Sequence, residues 1–119
     1  MVIQPITIHS YAAMENSGVT VVEIRGQLDS ITALQVEKYL NRLLDQKKFR
    51  IIIDLREVNY ISSAGWGIFI GILKEIKINN GDLKLSGLND DVREVFQLLE
   101  IDFILPTFGS NADAIAAFS

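Results

Sequence analysis

The chain has 119 residues, 49% apolar and 22% charged, which suits one globular domain with its own core and excludes a disordered chain. A formal net charge of −4 would repel a phosphate backbone, so no nucleic-acid partner is expected. With no cysteine and a single histidine, His9, the chain cannot form disulfides, thiolate metal sites or cysteine nucleophiles, and no metal is expected.

Met1 leads into alternating residues rather than a charged and then apolar leader, so a soluble, cytoplasmic protein is expected. Residues 2–12 carry a weak strand pattern, with Pro5 suited to an edge position. Asn16-Ser17-Gly18 reads as a turn and Val19–Arg25 as a second strand ended by Gly26, the two strands forming an antiparallel hairpin. Thr32-Ala33-Leu34-Gln35 has capping-box spacing, and Val36, Leu40, Leu43 and Leu44 then recur at the helical period. The cationic run Gln46-Lys47-Lys48-Phe49-Arg50 falls where this helix ends, and positive charge suits that end of the dipole.

Arg50–Leu55 is a continuous apolar, β-branched run and predicts a central strand covered on both faces. Ser62–Ile78 predicts a second helix, stopped by Asn79-Asn80-Gly81, and Asp82–Ser86 alternates as the next strand. The apolar run Ile68–Leu73, interrupted by Gly71, is too short to cross a bilayer, so no membrane segment is expected. Asn89 caps a third helix, with Asp90 and Asp91 in its first turn. Phe103–Leu105 predicts a last short strand before Pro106, and Ser110-Asn111-Ala112-Asp113 opens a helix running to Phe118. The order β-β-α-β-α-β-α-β-α predicts one α/β domain over residues 1–119: a mixed sheet of about four or five strands packed with about four helices.

The segment Asn59–Ile68 is the unusual one. It follows the central strand and opens a helix, at the sheet edge where α/β folds gather their ligands and partners. Gly65 and Gly67 fall in the first turns of that helix, where each glycine costs about 1 kcal/mol against alanine. They leave room for another surface to approach the backbone. Ser62 and Ser63 stand at the helix start, with neither Glu nor Gln three residues on, so amide donors there stay open to a phosphate on Ser63. Phe69, Ile72, Leu73 and Ile76 form the core stripe. Trp66, Ile68 and Ile70 lie off it, and some of these are expected at the surface as a partner patch. The plainer readings are that the serines only cap the helix, that Trp66 fills a gap between helix and sheet, and that Gly67 and Gly71 only permit close packing.

Asp54–Gly67 (DLREVNYISSAGWG) resembles the signature of STAS domains and bacterial anti-sigma factor antagonists. That signature is an apolar strand ending in Asp-Leu, a short loop, and then Asp/Ser-Ser-x-Gly-Leu-Gly. Gly26-Gln27-Leu28-Asp29 is similar to the family's Gly-x-Leu-Asp motif, and the order of elements agrees along nearly the whole chain. The resemblance implies a non-enzymatic protein-binding switch that needs no cofactor. Ser63 matches the serine phosphorylated by a partner kinase, which in that family is itself the anti-sigma factor and uses ATP and Mg²⁺. A metal-dependent serine phosphatase reverses the mark. The unmodified domain binds the kinase and frees the sigma factor. Asp29 matches an acidic residue of the kinase-binding surface, which Ser62, Ala64, Gly65, Trp66 and Gly67 complete. Ser62 stands where the family often has Asp, which leaves it as a second candidate acceptor. Trp66 replaces the usual Leu and offers a larger anchor. The isolated domain is expected to be monomeric.

Two other classes compete. Gly65-x-Gly67-x-x-x-Gly71 loosely echoes a dinucleotide fingerprint, but Trp66 would block approach to a pyrophosphate and no acid ends the next strand. Alternatively, the same fold would serve another signalling or transport complex as a docking module without phosphorylation.

Overall fold

Ile51, Ile52 and Ile53 are fully buried in succession, which requires cover on both faces of their strand. The computed structural model, which describes residues 6–14, 16 and 18–118, supplies that cover. Its elements are β1 (Thr7–Ala12), β2 (Thr20–Leu28), α1 (Thr32–Asp45), β3 (Arg50–Ile61), α2 (Ser63–Ile78), β4 (Asp82–Ser86), α3 (Asp90–Leu98), β5 (Thr107–Phe108) and α4 (Asn111–Ala116). They build one sheet in the order β1-β2-β3-β4-β5, with β1 antiparallel to β2 and every other pair parallel. This is the mixed α/β architecture that the element order predicts.

Ile51, Ile53 and Leu55 meet Val36 and Leu40 of α1, Phe69 and Ile76 of α2, and Val92 and Phe96 of α3 on one face. Ile52 points the other way, to Val21, Ala114 and Phe118. Each such side chain contributes about 1.5–3 kcal/mol by leaving water. That second face is closed by Phe118. Its carbonyl accepts from Arg50 Nη2 at 2.6 Å and from Asn16 Nδ2 at 3.0 Å, and its ring lies 4.5 Å from Lys84 Nζ.

Several local expectations are corrected. Pro5 and Ser17 lie outside the described residues, but Val19 N donates to Asn16 O at 2.9 Å across the expected turn. Gly26 does not end β2: with φ 124° it sits between two register shifts, and pairing resumes from Gln27 to Leu28. β3 runs on to Ile61, because Val58 and Ile61 turn inward while Glu57, Asn59 and Tyr60 face water. The last strand is Thr107–Phe108, not Phe103–Leu105. Residues 102–104 form a turn that exposes Phe103, and the strand begins only after Pro106, whose carbonyl accepts from Leu85 N.

Candidate functional site

Two chain segments meet at the carboxyl ends of β2 and β3. Leu28 pairs with Ile61, and the Ser62 amide donates to the Leu28 carbonyl at 2.8 Å. One residue further along each segment stand Asp29 and Ser63. The motifs Gly26–Asp29 and Ser62–Gly67, some thirty-five residues apart in sequence, are therefore neighbours in space.

At the start of α2 the adjacent serines divide their roles. Ser62 has extended backbone and caps the helix, its Oγ accepting from Gly65 N at 3.2 Å. Ser63 is the first helical residue and is exposed, and among the described residues its hydroxyl has no hydrogen-bond partner. The cap therefore uses the Gly65 amide, while the amides of Ser63 and Ala64 come too early for an i−4 carbonyl. A helix start of this kind favours an anion by its dipole and its open donors together.

The α1 side is built by Asp29. Its Oδ1 accepts from the amides of Ile31 and Thr32, each at 2.8 Å, and Thr32 Oγ1 donates to Gln27 O at 2.6 Å. The expected capping box with Gln35 does not form; Asp29 does that work two to three residues earlier. The Thr32 and then the Ile31 amide hold its carboxyl below the usual carboxylate range. Asp29 remains exposed beside Ile31 and Leu34, two solvent-facing apolar side chains that the sequence reading missed. Their signal was there: both fall outside the stripe of Val36, Leu40 and Leu43.

The surface of α2 differs from expectation. Trp66, read as a partner anchor, is only 3% exposed and packs on Phe69 (6.0 Å, edge-on) and Phe96 (5.6 Å). Ile68 and Ile70 are half-buried. Gly65 also faces inward: a Cβ there would stand 2.8 Å from Ile61 Cγ2 and 3.3 Å from Leu28 Cβ. Over residues 63–73, α2 exposes Ser63, Ala64, Gly67 and Gly71. Ala64, Gly67 and Gly71 line a groove of about 470 Å³ shared with Glu37 and Asn41 of α1. Of the residues the sequence singled out, Asp29, Ser62, Ser63, Ala64 and Gly67 thus come together at the surface, and Gly65 and Trp66 support them from beneath. His9 lies apart, exposed on β1.

Comparison with known proteins gives this arrangement a family. The family model described as the STAS domain matches residues 10–114, and the chain belongs to that family. BtrV of Bordetella bronchiseptica, assigned as an anti-sigma factor antagonist, is 34% identical over 101 residues, covering 85% of this chain and 87% of BtrV. An anti-sigma factor antagonist from Mycobacterium paratuberculosis shares the fold with a TM-score of 0.85 at 22% identity, over 95% of this chain and 93% of its own. The Bacillus cell fate determinant SpoIIAA, solved in a phosphorylated form, shares it with a TM-score of 0.70 at 19% identity, over 97% of this chain and 100% of SpoIIAA.

Proposed function

We propose that this chain is an anti-sigma factor antagonist switched at Ser63. The unmodified protein docks an anti-sigma factor that is also a serine kinase, through Asp29, Ser62, Ser63, Ala64 and Gly67, and so releases a sigma factor. Phosphorylation of Ser63 ends the docking, and a metal-dependent serine phosphatase restores it. The chain acts as a cytoplasmic monomer and performs no chemistry of its own. The observation that carries this reading is the division of labour between the serines: the Ser62 hydroxyl is engaged as the cap, while that of Ser63 is exposed and, among the described residues, without a partner.

The physics needs no refolding. The surface around Ser63 is small and largely uncharged, with Ala64 and Gly67 beside it. A partner packed closely there accommodates a hydroxyl. A phosphate adds roughly −1.5 to −2 charges, which must be desolvated in the middle of the contact. Each 1.4 kcal/mol so lost weakens binding about tenfold. That SpoIIAA, a fold neighbour, is known in a phosphorylated form supports a switch of this kind.

The test is peptide mapping of protein isolated from its own cells, together with pull-downs of the Ser63→Ala and Ser63→Asp variants. One phosphate localised to Ser63, and a kinase partner retained by Ser63→Ala but lost by Ser63→Asp, is the expected result. Equal retention by both variants would reduce the site to plain docking.

A further inference from the structure

The net charge of −4 is not spread evenly along the chain. Residues 88–103, which hold α3 and the turn after it, carry Asp90, Asp91, Glu94, Glu100 and Asp102 against a single cation, Arg93. The whole excess of negative charge therefore lies in this segment, and the rest of the chain is neutral. The α3 dipole favours Asp90 and Asp91 in the first turn. It disfavours Glu100 and Asp102, which follow the negative end of the same helix. Arg93 reaches the Leu88 carbonyl at 3.4 Å, and among the described residues none of the five carboxylates forms an ion pair.

The same segment is apolar on two sides. Val92 and Phe96 are buried and hold α3 to the core. Val95, Leu98 and Leu99 recur at i, i+3 and i+4 on a second face, and all three are exposed, Leu98 to 76%. Phe103 follows in the next turn and is 81% exposed. Between Val95 and the half-exposed Tyr60 of β3 opens a hollow of about 110 Å³, lined also by Trp66, Val92 and Asp91. A lone exposed apolar side chain needs no explanation, but a run of them beside a hollow marks an interaction surface.

We propose that the outer face of α3 is a second docking surface, and that its occupant is a basic amphipathic helix of a partner protein. One apolar side chain of that helix enters the hollow between Tyr60 and Val95, and its neighbours lie on Leu98, Leu99 and Phe103. Lysines or arginines on its flanks meet Asp91, Glu94 and Asp102. Charge selects this occupant. A second copy of the chain would bring like carboxylates together across a two-fold interface. Nucleic acid and anionic lipid are repelled for the same reason. A helix suits the surface better than an extended segment, because it satisfies its own backbone groups and the exposed face of α3 offers side chains alone. Ser63 takes no part, so the surface stands or falls apart from the switch.

The test titrates an amphipathic leucine–lysine peptide of about eighteen residues, roughly five helical turns, into the full chain and follows the protein's methyl resonances. Saturable binding is expected, with shifts at Val95, Leu98 and Leu99 and none at Ile31 or Leu34, which stand beside Asp29. Leu98→Ser and Phe103→Ser, at positions exposed enough to leave the melting temperature unchanged, should each weaken binding about tenfold. Ile78→Ser, at a similarly exposed position closing α2, should alter it less than about twofold. Glu94→Lys should weaken binding about fivefold, whereas Glu75→Lys, an equal charge change on the exposed side of α2, should alter it less than about twofold. A peptide of lysine alone lacks the anchor and should bind about tenfold more weakly or worse. The proposal is overturned if Leu98→Ser or Phe103→Ser binds like the parent, or if Ile78→Ser or Glu75→Lys weakens binding as much as its counterpart on this face. It is equally overturned if the lysine peptide binds as tightly, if sedimentation shows the chain pairing with itself through Leu98, or if phosphatidylcholine vesicles bind through Phe103 more tightly than the peptide.

Discussion

The Ser62 amide is bonded to the Leu28 carbonyl at 2.8 Å, and Gly65, one turn on, rests against the Leu28 side chain. Leu28 therefore holds the start of α2 in place through both its backbone and its bulk. The bond ties the junction after β2 to the junction after β3, so Asp29 and Ser63 are displayed as one surface. Positioning of this kind is rigid because it rests on strand pairing, Leu28 with Ile61, rather than on a loop.

The three glycines of α2 should respond to alanine with opposite signs. At Gly65 the added methyl meets Ile61 Cγ2 at 2.8 Å and Leu28 Cβ at 3.3 Å, so one of them must move. Gly65→Ala should cost about 1–3 kcal/mol. At Gly67 and Gly71 a Cβ meets nothing within 4 Å, and alanine should gain up to about 1 kcal/mol each from helix propensity. Urea unfolding of the three variants measures this. Gly67→Ala should also weaken partner binding while stabilising the fold, which sets a contact role apart from a structural one.

Ser62 and Ser63 should separate in the same way. Ser62→Ala removes the acceptor for Gly65 N and should cost about 1 kcal/mol of stability. Ser63→Ala removes a hydroxyl without a partner among the described residues and should change the unfolding midpoint little. In a phosphorylation assay with the cognate kinase the order reverses: Ser62→Ala should still take up one phosphate and Ser63→Ala none. Label lost in Ser62→Ala but kept in Ser63→Ala would move the acceptor by one residue.

Much of this was legible in the residues, for physical reasons that differ from element to element. The run Arg50–Leu55 announced a doubly covered strand because nothing polar interrupts Ile51–Ile53, and Asn89 and Ser110 announced helix starts through side chains that do accept from the third residue on. The start of α1 was misjudged because the capping group, Asp29, lies before the helix and bonds the amides of Ile31 and Thr32, a contact that no capping-box spacing reveals. Trp66 was misread because helical periodicity assumes one packing partner. α2 has the sheet on one side and Phe96 of α3 on another, so a residue off the main stripe is still covered. The strand Thr107–Phe108 has only two residues, too few to show a period.

Asp29 gives the site a pH dependence. Its carboxyl is held below the usual range, by the Thr32 amide first and the Ile31 amide second, so the folded state favours the ionised form. A depressed folded pKa contributes stability above the unfolded value, about 3.9, and that stability is lost as pH falls through the folded value. Asp29→Asn keeps an oxygen for the two amides but not the charge. Stability of the parent and of Asp29→Asn should therefore differ at neutral pH and converge below about pH 4. Asp82 titrates in the same acid range: burial opposes its ionisation, but Lys84 and then Lys77 outweigh that and its pKa is also lowered. Only the difference between the two proteins isolates Asp29, and a gap that persists undiminished to pH 2 would mean that the carboxylate charge plays no part in the cap.

Trp66 offers a last separation of packing from hydrogen bonding. Its Nε1 is buried and, among the described residues, has no acceptor, which costs about 1–3 kcal/mol for a desolvated donor. Trp66→Phe removes that donor and keeps a ring against Phe69 and Phe96, so the cavity it opens is offset by the relief of the orphan N–H. Its net cost should stay below about 1.5 kcal/mol. Trp66→Ala has no such offset and should cost about 3–5 kcal/mol. Because the indole lies beneath the surface rather than on it, Trp66→Phe should bind the partner as the parent does, read by circular dichroism for stability and by titration for affinity. If the phenylalanine variant were as unstable as the alanine one, the indole N–H must be satisfied in solution, and a buried water bridging it to a carbonyl would be the first candidate to look for.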